Sequence, residues 1–107
     1  MPKLTEYLDT GGRSPFGRWF DGLDAQAAAK VSAVLYRLEQ GNQSEIKALG
    51  GGIYERRIHW GPGLRIYFGR EGPHLILLLG GGTKSGQRRD IETARKAWKD
   101  YQQRNEA

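Results

Sequence analysis

The sequence predicts an α+β fold: an N-terminal strand and a helical hairpin packed on a small antiparallel sheet, with a C-terminal helix closing the chain. Three observations predict it. Between Ile53 and Leu79, three runs rich in Ile, Leu, Tyr and Phe are broken by Gly61-Pro62-Gly63 and Arg70-Glu71-Gly72-Pro73, the pattern of consecutive antiparallel strands. Ahead of them, two stretches carry apolar residues at helical spacing and are separated only by Asp21–Asp24. Behind them, Ile91, Ala94, Trp98 and Tyr101 mark a third helical stripe.

Taken in order, Leu4–Leu8 is a short edge strand ended by Asp9-Thr10-Gly11-Gly12. Ser14-Pro15 starts a helix, Ser as N-cap and Pro at the first helical position, and Phe16, Trp19, Phe20 and Leu23 share its apolar face. Asp24 caps a second helix from Ala25 to about Gln40, with Val31, Val34, Leu35 and Leu38 as its stripe and Gly41-Asn42 as its stop. Ser44–Leu49 leads into Gly50-Gly51-Gly52, a flexible entry to the first of the three strands. No Walker pattern follows these glycines. The strands are Ile53–Trp60, Leu64–Phe68 and His74–Leu79, and after Gly80–Gly82 and Thr83-Lys84 a helix opens near Ser85–Arg89 and runs to about Gln103. Phe16, Trp19, Phe20, Leu35, Leu38, Ile58, Ile66, Leu77 and Trp98 are expected to share one core.

A chain of 107 residues with no linker-like tract predicts one domain, 1–107. Cysteine is absent, which excludes disulfides and thiolate metal sites and fits a cytoplasmic setting. Met1–Glu6 lacks the apolar core of a signal peptide, and the longest apolar run, Leu75–Leu79, is far too short for a bilayer, so no membrane partner is expected. A net charge of +5 points to an acidic partner.

Strand parity separates two faces. A three-residue Gly61–Gly63 loop pairs Trp60 with Leu64, Ile58 with Ile66 and Arg56 with Phe68 on a mainly apolar face. The other face pairs His59 with Arg65 and Arg57 with Tyr67, with Glu55 beyond. Taken alone, Glu55 and Arg57 make an ordinary surface ion pair worth little. Together, Arg57, Arg65, Tyr67 and Lys84 form a group able to bind phosphate and stabilise negative charge. His59 and His74 lie in separate strands without a carboxylate at ligand spacing, so neither a metal nor another cofactor is expected. No Gly-x-Ser-x-Gly elbow supplies a hydrolase nucleophile.

The stretches Phe16–Leu23, Leu38–Asn42, Lys47–Gly52, Tyr54–Ile58, Gly61–Phe68 and Leu77–Gln87, with Asp90-Ile91 and Ala94, resemble the RelE/ParE toxin superfamily, in its HigB-like addiction module killer branch. The resemblance implies a growth-arresting toxin neutralised by a helix-turn-helix antitoxin encoded beside it. Many such toxins cleave mRNA in the ribosomal A site without a metal, whereas ParE members poison DNA gyrase. Carried over, Arg65 and Lys84 are candidate catalytic residues, joined by Tyr67 and Arg57, while Lys47, His59, Arg88 and Arg89 are candidates for RNA binding. Where RelE carries a tyrosine soon after its last basic segment, this chain has Asp90-Ile91-Glu92.

Overall fold

A computed structural model describes residues 2–105; Met1, Glu106 and Ala107 of the expected 1–107 domain lie outside the described residues. Strand β1 (Lys3–Glu6) is followed by helices α1 (Pro15–Asp21) and α2 (Ala25–Glu39). Strands β2 (Ile46–Gly50), β3 (Ile53–Ile58), β4 (Leu64–Glu71) and β5 (Leu75–Thr83) come next, then a 3₁₀ turn (Lys84–Gly86) and α3 (Gln87–Arg104). The fold is the expected α+β, on a five-stranded sheet ordered β1-β5-β4-β3-β2.

The sheet is mixed, which corrects the all-antiparallel expectation: β1 runs parallel to β5. No turn joins the two strands, so local sequence carries no sign of their pairing. A second correction is β2, which pairs antiparallel with β3. The three glycines between them are its tight turn, not a flexible entry. Gly50, Gly51 and Gly52 hold φ of 92°, 68° and 87°, a left-handed run that only glycine enters cheaply. Trp98 Nε1 donates to the Gly51 carbonyl at 2.9 Å and Arg95 donates to the Leu49 carbonyl at 2.7 Å, so α3 clamps this turn.

Both N-caps form as expected: Ser14 Oγ accepts from the Gly17 amide and the Asp24 carboxylate from the Ala27 amide, each at 2.8 Å. The helices rest mainly on the sheet, α1 against β5 and α2 against β1 and β3, more than on each other. Their buried Phe16, Val31, Val34 and Leu38 join Ile58, Leu64, Ile66 and Phe68. On the opposite face α3 lays Ala94, Ala97 and Trp98 over Ile53, Tyr67, Leu77 and Leu79. The sheet therefore divides the expected single core in two, with Leu77 and Trp98 on the α3 side.

Two glycines show how closely the helices approach. A Cβ on Gly69 would stand 2.2 Å from the Trp98 ring, and one on Gly81 2.2 Å from the Trp19 ring. Gly80–Gly82 thus belong to β5, which runs past the expected end at Leu79; they are bare backbone against which a ring and a carboxylate lie.

Candidate functional site

The β3–β4 register pairs Glu55 with Tyr67, Arg57 with Arg65 and Ile58 with Leu64. It differs by two residues from the expected pairing because β3 ends at Ile58 and the connection runs from His59 to Gly63. A two-residue shift preserves faces, whereas a one-residue shift would exchange them. Glu55, Arg57, Arg65 and Tyr67 accordingly share one face, and Lys47 joins them because it pairs with Glu55 across β2.

Glu55 is the centre of this face, and its burial corrects the surface-pair expectation. It is fully buried. Its Oε2 lies 3.3 Å from Arg57 Nε, its Oε1 lies 3.4 Å from Arg65 Nε, and Gln87 Nε2 donates to Oε1 at 2.7 Å. A carboxylate this deep is tolerable only with such partners. Arg57 reaches it from a position still 40% exposed, while the Arg65 side chain is 9% exposed. Arg65 Nε gains attraction at 3.4 Å but not hydrogen-bond geometry, and it has no hydrogen-bond partner among the described residues. The far end of its guanidinium reaches the Gly63 turn, where a Cβ would stand 3.5 Å from Nη1.

Tyr67 lies fully buried beneath α3, with no hydrogen-bond partner for its hydroxyl among the described residues. Burial pushes its phenol well above the ordinary range, and the carboxylates of Glu55 and Asp90 push the same way. The ring cannot stack on a nucleobase from that position. Asp90, in the first turn of α3, has its carboxyl raised above the usual range by burial, opposed by Arg89. Its Oδ2 lies where a Gly82 side chain would be, 2.0 Å from the position of that Cβ, and Gly82 is the β5 partner of Arg65.

The structure thus brings Arg57, Arg65 and Tyr67 together, with Lys47 exposed at the margin. Lys84 is exposed in the turn two residues after Gly82, and Arg88 and Arg89 are exposed on the first turn of α3. Arg88 is seven residues before Arg95, which binds the Leu49 carbonyl of β2, so the two share one helix flank. His59 is not gathered in: it lies beyond β3 and meets Glu45 at 2.8 Å, holding that carboxyl below its usual range. Sequence reasoning missed Gln87 and Asp90 and underrated Glu55. One signal for Asp90 was available, since Gly82 on β5 leaves room for a side chain from elsewhere.

Among the described residues no helix is long and apolar enough to cross a membrane, and no three His, Asp or Glu side chains gather as a metal site. No family model matches the chain. It is 41% identical over 81 residues to an uncharacterized protein of Haemophilus influenzae, a match covering 75% of this chain and 82% of that protein. On that identity and coverage, the chain belongs to one family with the Haemophilus influenzae protein.

Proposed function

We propose that this chain is the toxin of a type II toxin–antitoxin pair, acting in the cytoplasm as a ribosome-dependent mRNA endoribonuclease until its antitoxin binds it. The RelE/ParE resemblance motivates the reading, and the observation that carries it is the state of Arg65. A nearly buried guanidinium, held from within by Glu55 at Nε, carries its Nη end out to the Gly63 turn, where an acceptor can arrive from outside. Arg57 and Lys47 widen the positive rim on the same face.

In this reading the 2′-hydroxyl of the mRNA attacks its neighbouring phosphorus while the bond to the 5′-oxygen breaks, giving a 2′,3′-cyclic phosphate and a 5′-hydroxyl. Arg65, aided by Arg57, holds the phosphate and the charge that grows on it. Lys47 or Lys84 binds the backbone and takes the 2′-proton. Asp90, made a weaker acid by burial and so able to keep a proton to higher pH than an ordinary Asp, gives one to the departing oxygen. Tyr67 supports Glu55 and Arg65 from below instead of touching a base. The partner is a helix-turn-helix antitoxin encoded by a neighbouring gene.

One observation favours the second reading, a binding poison of DNA gyrase. Both central arginines already lean on Glu55, so the face would serve as a rigid basic contact without breaking a bond. Expression from a tightly controlled promoter, with and without the neighbouring open reading frame, tests the toxin reading. Growth arrest relieved by the neighbour, with gyrase supercoiling unaffected in vitro, is expected. Normal growth with abundant soluble protein would remove the toxin reading, and inhibited supercoiling would move the target to gyrase.

A further inference from the structure

On the far side of β5 from its Arg65 edge, α1, the loop before it and α3 enclose a cavity of about 390 Å³. That size is within the range of small-molecule sites. Arg13 and Arg18 stand at its rim, both exposed and neither with a carboxylate partner among the described residues. Its floor is the bare backbone of Gly80 and Gly81, with the Trp19 indole lying on Gly81. A Cβ on Gly80 would meet nothing within 4 Å, so this part of the strand faces open space. Asp90 and Thr93 of α3 supply polar groups on the opposite wall. Asp90 also lies against Gly82, the strand partner of Arg65, and so stands between the cavity and the Arg65 face.

We infer that this cavity is a nucleotide subsite, taking a phosphate on Arg13 and Arg18 and a flat base on the open Gly80 backbone, beside the Trp19 indole and the polar edge formed by Asp90 and Thr93. Two unpaired guanidiniums suit one phosphate, since each donates in a plane to its oxygens. Side-chain-free backbone at Gly80, bordered by the Trp19 indole, suits a flat ring and leaves a branched chain poorly packed. The nucleotide is either one unit of the RNA strand whose neighbouring phosphate lies on Arg65, or a free mononucleotide. Only the first source rests on the proposed nuclease function.

The test is binding, followed by the Trp19 indole resonance in a titration of the intact chain with adenosine 5′-monophosphate and, separately, with a dinucleotide blocked by 2′-O-methylation. Both probes should shift Trp19, and the dinucleotide should bind at least tenfold more tightly and displace the monophosphate. Gly80→Leu, which projects into open space, should leave the melting temperature near that of the parent and weaken both probes at least tenfold. The exposed pair Arg13→Ala/Arg18→Ala should weaken them similarly, and Arg65→Lys should leave the monophosphate unaffected. A monophosphate that binds while the dinucleotide does not would support the pocket and assign it to free nucleotides. No Trp19 shift with either probe, or binding that survives both the Gly80 and the double arginine variants, would overturn the inference. Cleavage is not read in this titration, so the subsite can fail while the nuclease reading stands, and the reverse.

Discussion

At Arg65, burial and charge pull in opposite directions, and Glu55 decides between them. Removing the side chain outright would leave part of a fully buried carboxylate unpaired, so Arg65→Ala tests folding as much as function. Arg65→Lys is the sharper change. It keeps a cation near Glu55 but loses the planar fork needed to hold a phosphate. We expect the lysine variant to fold with nearly the parental circular dichroism spectrum and to lose about 10²–10³-fold in cleavage rate on the ribosome, the usual effect of losing one charge-stabilising donor. A variant that cleaves at the parental rate would remove Arg65 from the chemistry. Tyr67→Phe asks the complementary question, because it deletes a buried hydroxyl that has no hydrogen-bond partner among the described residues. Chemical denaturation should show it equal to the parent or more stable, by up to ~1–3 kcal/mol. A clear loss of stability would mean that the hydroxyl is satisfied in solution.

Among the elements, α3 carries the most consequence, since it covers the site face of the sheet and ties both sheet edges. At the β1 edge the Tyr7 hydroxyl donates to Asp100 at 2.5 Å, and Arg104 reaches both Asp100 and the Leu8 carbonyl. Tyr7 first, then Arg104, hold the Asp100 carboxyl below its ordinary range. A carboxyl lowered on folding stabilises the fold above its unfolded value, ~3.9, and that contribution is lost as pH falls through the folded value. The melting temperature of Asp100→Asn should therefore lie below that of the parent near neutrality, and the gap should close under acid conditions. A gap that persists unchanged at the lowest pH would show that packing, not charge, holds this end of α3. Close approach is tested on both faces by Gly69→Ala and Gly81→Ala, where the new Cβ would stand 2.2 Å from Trp98 and from Trp19. Each should cost ~1–3 kcal/mol in denaturant unfolding, as overpacking does. The two contacts lie on opposite faces, so the double variant should match the sum to within ~0.5 kcal/mol.

Across the whole molecule, what was legible in the sequence followed the range of each signal. Caps and stripes placed all three helices, because Ser14-Pro15, Asp24 and the apolar spacing act within a turn or two of themselves. Parity placed Glu55, Arg57, Arg65 and Tyr67 on one face even though the register moved by two, since alternation survives an even shift. The parallel pairing of β1 with β5 joins Lys3 to Leu75, and no local residue announces it. Edge strand β2 was lost because Ile46–Gly50 is short and mostly exposed, with no clean alternation. The burial of Glu55 and Tyr67 depended on a helix beginning at Gln87, and strand parity cannot say which face a distant helix will cover.

The central claim, RNA cleavage by a basic sheet face, also concerns the molecule as a whole. Its own proton-transfer groups are modest: a raised Asp90 and exposed lysines, with His59 held by Glu45. Positioning by a larger partner would have to supply the remainder, and in favourable cases it is worth ~7–11 kcal/mol. The decoding site of a ribosome could hold mRNA bent so that the 2′-hydroxyl lies in line with its phosphate. Primer extension on one defined mRNA, incubated with the protein in the presence and absence of programmed ribosomes, measures this directly. The account predicts strong stops within the A-site codon only when ribosomes are present, and their loss with Arg65→Lys. Equal cleavage of free RNA, or no cleavage in either arm, would contradict it.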